Sequence, residues 1–170
     1  MTNKNPKPSI EKREAHPYAA VRLQVPIPFG KFLQPAWSKV HTWLTGQGVA
    51  HGPAIIRYLT TDMSTKLDID VGFIIDNAIP GSAGVLTDIL PAGQYACLVH
   101  TGSYRGKGVY KANVVMIEWA AENGVVWATE PKAGVEWWDS RVEWYFNDPA
   151  NDPDPQNYRT ELTFRVADGK

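Results

Sequence analysis

The same order of secondary-structure elements occurs twice along the chain, and few folds accommodate such a repetition. Apolar residues that alternate with polar ones predict strands, and apolar residues spaced three and four positions apart predict helices. Each half then reads strand, helix, strand, strand. The predicted helices span about 31–47 and 109–123, and the predicted strands span about 18–27, 54–60, 67–76, 85–89, 94–101, 125–129, 135–146 (with an interruption at 139–140 left open) and 158–166.

Weak sequence matches between the halves indicate a duplication. When Trp43 is laid on Trp119, Gly48 falls on Gly124. Two such units can join into one curved antiparallel sheet. We therefore predict an α+β fold of duplicated strand-helix-strand-strand units, with both helices on one face of the sheet and a ligand groove on the other. The remaining matches, which need gaps, join Tyr58 to Tyr145 and segment 70–74 to segment 161–165.

The chain has 170 residues, a length typical of one domain. Residues 1–17 are polar and interrupted by prolines, so we expect a flexible N-terminal tail, followed by a folded domain over 18–170.

The single cysteine, Cys97, excludes an intrachain disulfide and is expected to be a buried core residue. No signal peptide or membrane-spanning segment is recognisable, so the cytoplasm is the expected location.

Charge and motif content argue against several classes of function. The net charge is −1 and no dense run of Lys and Arg occurs, so direct nucleic-acid binding is not expected. The histidines at 16, 41, 51 and 100 show no metal-ligand spacing to one another or to the cysteine. Neither a phosphate-binding loop nor a Gly-x-Ser-x-Gly motif is present. We therefore expect no metal, no cofactor and no membrane partner.

A carboxylate stands within the apolar strand predicted over 135–146. Side chains alternate between the two faces of a strand, so Glu143 and Tyr145 share one face and the strand's apolar residues share the other. We expect the apolar set to pack against the helices, which puts Glu143 on the helix-free groove face. There it could bind a ligand, or act as a general base with Tyr145 assisting if the protein is an enzyme. The alternative is a glutamate that is solvated or paired with Arg141 or Arg57.

Tryptophan and tyrosine are frequent, with seven residues of each type. Both combine a large apolar surface with a polar group, a combination that suits binding surfaces. Aromatic walls also favour planar and cationic ligands. The candidate ligand-binding residues are Glu143, Tyr145, Tyr58, Trp138, Trp137, Tyr104 and Tyr110.

The carboxylate-bearing strand and the loop that follows it resemble the C-terminal signature of the GyrI-like family, the effector-binding domain also fused to AraC- and MerR-type regulators. A Glu-x-Tyr-x-x-Asp-Pro pattern followed by Thr-Glu is fairly specific as a combination. The resemblance covers about residues 18–167. The segments that carry it are 142–149, 153–155 and 159–162, with 52–58, 68–72, 90–95 and 100–104 in the first half and the centre.

The resemblance implies a ligand cleft on the sheet, with Glu143 facing cationic or polar aromatic ligands. Three functions follow as hypotheses. The first is a stand-alone protein that captures or senses a small organic ligand, lipophilic or aromatic, cationic ones included. The second is a hydrolase of reactive compounds, for example cyclopropane-bearing ones, that uses Glu143. The third is a gyrase-inhibitor-like interaction with a protein partner. The chain shows no helix-turn-helix, so any role in transcription would need another chain to bind DNA.

Overall fold

A computed structural model describes residues 7–61 and 66–168. The predicted break at 139–140 is present, because separate strands end and begin on either side of it. The strands are β1 (Ser9–Arg13), β2 (His16–Val25), β3 (Ala54–Tyr58), β4 (Leu67–Ile74), β5 (Leu86–Leu90), β6 (Gly93–Thr101), β7 (Thr129–Lys132), β8 (Val135–Trp138), β9 (Arg141–Tyr145) and β10 (Arg159–Arg165), and the helices are α1 (Leu33–Gly46) and α2 (Gly108–Glu122).

Eight of the strands form one curled antiparallel sheet in the order β1-β6-β10-β9-β3-β4-β2-β5. The first unit comprises β2, α1, β3 and β4, and the second comprises β6, α2, β9 and β10. The two units meet where β3 pairs with β9. β7 and β8 form a separate hairpin inserted in the second unit. The predicted α+β fold of duplicated units is confirmed.

Strand register agrees with the sequence repeat. Tyr58 of β3 lies opposite Ile69 of β4, and Tyr145 of β9 lies opposite Thr160 of β10. Equating the two tyrosines therefore equates Ile69 with Thr160. Segment 70–74 of β4 is then equivalent to segment 161–165 of β10, which is the match that the sequence repeat predicts.

The pseudo-two-fold axis of the duplication passes through the middle of the sheet. The offset that equates Tyr58 with Tyr145 also equates Ile56 with Glu143. These two residues are direct cross-strand neighbours in the β3–β9 pair. Glu143 thus lies at the axis, opposite its own apolar counterpart.

The N-terminal segment is more ordered than the sequence indicated. Ser9–Arg13 forms the edge strand β1, paired with β6, and β2 already begins at His16, so the prediction of a tail over 1–17 is wrong for these residues. Residues 1–6 lie outside the described residues. Four of the five β1 residues are exposed, and charged or polar side chains are typical of a sheet edge. Such a strand therefore lacks the apolar alternation that identifies a half-buried one.

Both helices pack on the same face of the sheet. Neither has the length and apolar composition needed to cross a bilayer, and the same holds for any other helix among the described residues. Helix positions spaced three and four residues apart are not all buried: Val115 of α2 is 40% exposed, and His41 of α1 is also exposed. The buried helix residues are Ala36, Val40 and Leu44 in α1 and Ala112, Met116 and Ala120 in α2.

The opposite, helix-free face of the sheet is also buried, because the sheet curls over it. Tyr18, Ile55, Val142 and Trp144 form one apolar cluster there, and no helix residue belongs to it among the described residues. A cavity of about 10 Å³ remains on this face, room for a single water molecule. The groove predicted on the helix-free face is therefore filled by side chains. Cys97 also lies buried on this face, as expected for a core cysteine.

Candidate functional site

Glu143 lies on the helix-bearing face of the sheet, between α1 and α2. Asn113 of α2 donates a hydrogen bond to its carboxylate, and the neighbouring Tyr145 packs against Trp37 of α1 with ring centroids 5.7 Å apart. Val142 and Trp144 point to the other face. The prediction that Glu143 and Tyr145 face a helix-free groove is therefore wrong. Alternation along β9 is as predicted, but the two faces are exchanged.

The carboxylate of Glu143 is almost fully buried, with 5% of the residue exposed, and it has three hydrogen-bond donors. Tyr58 and Tyr145 both donate to Oε1, at 3.0 and 2.5 Å, and Asn113 Nδ2 donates to Oε2 at 3.1 Å. A carboxylate offers about four acceptor positions. Counting donors from residues 7–61 and 66–168, one position on Oε2 is therefore left for a donor on a ligand or for a water molecule.

The two tyrosines act as fixed hydrogen-bond donors. Burial raises the pKa of Tyr58 and of Tyr145 well above the usual value, and the adjacent charge of Glu143 raises it further. Both phenols therefore keep their protons throughout the neutral and moderately alkaline range. They hold the carboxylate in one orientation, as a preorganised site requires.

Aromatic rings surround this polar centre. Phe29 contacts Tyr58 edge-on at 6.2 Å between ring centroids, and Tyr104 contacts Tyr145 edge-on at 5.1 Å. Tyr104 is itself held by hydrogen bonds between its hydroxyl and the backbone of Asn147. Together with Trp37 these rings form apolar walls around a single buried carboxylate, a combination typical of small-molecule sites.

A partly buried arginine, Arg141, lies beside the carboxylate. Arg141 Nη2 donates to Asn113 Oδ1 at 3.1 Å, so the Asn113 amide links the guanidinium to Glu143. The guanidinium carbon lies 4.2 Å from the ring centroid of Phe164 and 4.7 Å from that of Trp138. Burial lowers the pKa of Arg141, and the nearby charge of Glu143 opposes that shift. The site therefore contains one negative and one positive side chain.

Arg57, the other arginine considered as a partner for Glu143, lies on the opposite face. It donates to the Tyr18 hydroxyl at 2.8 Å and to the backbone oxygen of Asp139 at 2.7 Å. An Arg57–Glu143 pair is therefore excluded. A direct salt bridge between Arg141 and Glu143 is also absent from the described residues.

The remaining candidate aromatics differ in position. Trp138 is buried beneath Arg141 and donates its indole N–H to Thr61 at 3.1 Å. Trp137, on the other side of β8, lies under the ammonium of Lys132, and Tyr110 of α2 is 64% exposed. The structure thus brings together Glu143, Tyr145, Tyr58, Tyr104 and, through Arg141, Trp138, but no described contact joins Trp137 or Tyr110 to this group.

Sequence reasoning missed Asn113, Trp37 and Phe29. Asn113 and Trp37 are equivalent under the repeat, because the offset that joins Trp43 to Trp119 joins Trp37 to Asn113. The second unit thus has a polar pair, Asn113 and Glu143, where the first has Trp37 and Ile56. Comparison of the repeats position by position would have singled out this exchange of apolar for polar residues.

The donor set at this site is suited to an organic ligand. Among the described residues, no group of three or more His, Cys, Asp or Glu side chains is positioned to hold a metal ion. One carboxylate, one amide, one guanidinium and several phenols are groups that bind organic molecules through hydrogen bonds and aromatic contacts.

These features define a small-molecule-binding domain. The model of the GyrI-like small molecule binding domain matches residues 6–167, nearly the whole chain. The chain therefore belongs to the GyrI-like family. A search of the curated proteins finds no match.

Solved structures of low sequence identity share the fold. The EcmrR C-terminal domain matches with a TM-score of 0.77 at 16% identity, covering 96% of this chain and 99% of that one. A hydrolase from Listeria innocua matches with a TM-score of 0.61 at 11% identity, covering 95% and 92%. SAV2435, solved with bound tetraphenylphosphonium, matches with a TM-score of 0.56 at 13% identity, covering 95% and 94%. In the EcmrR–DNA complex the chain spans 59% of the matched protein.

Proposed function

We propose that the chain captures or senses a lipophilic aromatic molecule at the Glu143 site between α1 and α2. The observation that carries the proposal is a carboxylate with 5% exposure whose hydrogen bonds come from Tyr58, Tyr145 and Asn113. Burying a charge is unfavourable, and an apolar residue, Ile56, occupies the equivalent position in the first unit. A buried, oriented carboxylate with an unused acceptor position is characteristic of a functional site.

The walls of the site indicate the shape of the ligand. Rings of Trp37, Phe29 and Tyr104 contact the two phenols that bind Glu143. An aromatic ligand would gain burial and edge-to-face contacts from these rings, and a hydrogen-bond donor on it could reach Glu143 Oε2. SAV2435, which shares the fold, was solved with tetraphenylphosphonium, a cation that carries aromatic rings.

Hydrolysis is the second candidate function. The acceptor position left on Oε2 could hold a water molecule and orient it towards a bound electrophile, with Glu143 as general base. A relative of the same fold is described as a hydrolase. The two functions differ in whether the bound molecule is converted, so hydrolysis is tested separately with a cyclopropane-bearing electrophile, and its product is measured by mass spectrometry.

The test uses N-phenyl-1-naphthylamine, an uncharged aromatic amine with one N–H donor whose fluorescence increases in apolar surroundings. Saturable binding to the wild type is expected. The Glu143→Gln variant replaces a charged acceptor by a neutral one and is expected to bind roughly tenfold more weakly. Glu118→Gln, on the exposed surface of α2, removes one carboxylate away from the site and serves as the matched control.

Two results would contradict the proposal. Lack of saturable N-phenyl-1-naphthylamine binding by the wild type would argue against a site for uncharged aromatic molecules. Equal affinity of wild type and Glu143→Gln would show that the carboxylate does not anchor the ligand. Reduced affinity in Glu118→Gln as well would indicate a general effect of charge.

A further inference from the structure

Arg141 occupies the position at which an aromatic cation would be expected to bind. We propose that Arg141 determines the charge of the ligand, so that the site prefers aromatic molecules with an anionic group to uncharged ones and disfavours cations. This inference rests on the binding site proposed above and specifies the class of molecule that enters it.

Aromatic rings beside the Glu143 site already bind the protein's own Arg141 guanidinium. Its carbon lies 4.2 Å from the ring centroid of Phe164, 4.7 Å from that of Trp138 and 6.0 Å from that of Tyr58. Faces of aromatic rings attract cations at these distances. A cationic ligand would have to displace Arg141 from these rings or bind without them.

The positive charge of Arg141 also balances the negative charge of Glu143. Arg141 donates to Asn113 Oδ1, and Asn113 donates to Glu143 Oε2, so one amide connects the two charged groups. A ligand cation would meet a fixed positive charge in an environment of low dielectric constant, where charge–charge interactions are strong. An anionic group placed beside Arg141 would be attracted instead.

Arg141 has an unused donor. Its Nε is buried and has no hydrogen-bond acceptor among the described residues, although buried donors are nearly always paired. An oxygen of a carboxylate or sulfonate could accept from this N–H, and charge-assisted bonds to guanidinium are among the stronger ones. The ligand we infer therefore donates to Glu143 and accepts from Arg141.

The test compares two probes that differ by one anionic group. 8-Anilinonaphthalene-1-sulfonate carries a sulfonate on the same anilinonaphthalene scaffold as the uncharged N-phenyl-1-naphthylamine. The measured quantity is the ratio of the two dissociation constants, by fluorescence titration, for the wild type and for three variants. Arg141→Met removes the charge, Arg141→Lys retains it without the planar guanidinium, and Arg105→Met removes an exposed arginine as a control.

The wild type should bind the sulfonate probe at least about tenfold more tightly than the uncharged probe, as expected for one favourable charge interaction in a buried site. Arg141→Met should abolish most of this preference, measured as the ratio of the two dissociation constants, whereas Arg141→Lys and Arg105→Met should keep it. Circular dichroism confirms that each variant is folded.

A wild type that binds the uncharged probe at least as tightly as the sulfonate would overturn the inference and leave the binding site intact. An unchanged ratio in folded Arg141→Met would overturn it too. The wild-type comparison decides the question even if Arg141→Met does not fold. Failure of the wild type to bind either probe would refute the underlying binding proposal and the inference with it.

Discussion

Tyr58 and Tyr145, which occupy equivalent positions in the two units, donate hydrogen bonds to the same oxygen of Glu143. The duplication therefore supplies a symmetric pair of donors around the pseudo-two-fold axis. The acceptor breaks the symmetry, because the counterpart of Glu143 is Ile56. Glu143, the one polar residue of the pair at the axis, therefore accepts hydrogen bonds from both units.

Removal of either hydroxyl should destabilise the protein. Tyr58→Phe or Tyr145→Phe leaves the buried carboxylate with one donor fewer, and each should lower the free energy of unfolding by about 1–3 kcal/mol. Because both hydroxyls contact one oxygen, the loss in the double variant should differ from the sum of the single losses. Urea denaturation of the wild type and the three variants measures this coupling, and strict additivity would show that the two phenols do not act on a common acceptor.

Stability should decrease at alkaline pH. Burial raises the pKa values of Tyr58 and Tyr145 in the folded state well above the ordinary tyrosine value of about 10, so above about pH 10 the unfolded chain loses protons that the folded chain retains. Their contribution is fully present below pH 10 and is lost as the pH rises towards the folded-state pKa values. Denaturant midpoints across this range should fall less steeply for the Tyr58→Phe, Tyr145→Phe double variant. An equally steep fall would assign the effect to other groups.

The opposite face of the sheet offers a control for the location of the site. Asp70 is fully buried there and accepts hydrogen bonds from Tyr18 at 2.6 Å and from Arg22 at 2.7 Å. Asp70→Asn should cost about 1.5–3 kcal/mol of stability, as expected for weakened bonds to a charged group, and should leave N-phenyl-1-naphthylamine affinity unchanged. Thermal unfolding and fluorescence titration test both parts. A large loss of affinity in a folded Asp70→Asn variant would move the site to that face.

Sequence reasoning recovered the order of the elements within the two units and the residues that meet at the axis, but it missed β1 and placed a strand at 125–129, whereas the β7–β8 hairpin begins at Thr129. The repeat and the alternation along β9 were enough to place Tyr58, Tyr145 and Glu143 together. These patterns depend only on local periodicity and on register, which the structure retains.

The wrong assignment of the two faces of β9 has a physical cause. An apolar strand face normally identifies the side that packs against helices, but here Val142 and Trp144 are buried by the curled sheet itself. A pattern of apolar residues predicts that a strand face is buried, but it does not indicate whether a helix or the curled sheet covers that face. Asn113 was missed for a related reason, since a single polar residue on a helix is indistinguishable from a solvated one until its contacts are known.

The edge strands are exchanged between the two units. β1 precedes the first unit in the chain but pairs with β6 of the second, and β5 precedes the second unit but pairs with β2 of the first. Neither unit alone could complete its own sheet, because each depends on a strand that the other contributes. A single unit would need a second copy to supply that strand, so the chain has the connectivity of a strand-swapped dimer whose two subunits are joined in one polypeptide.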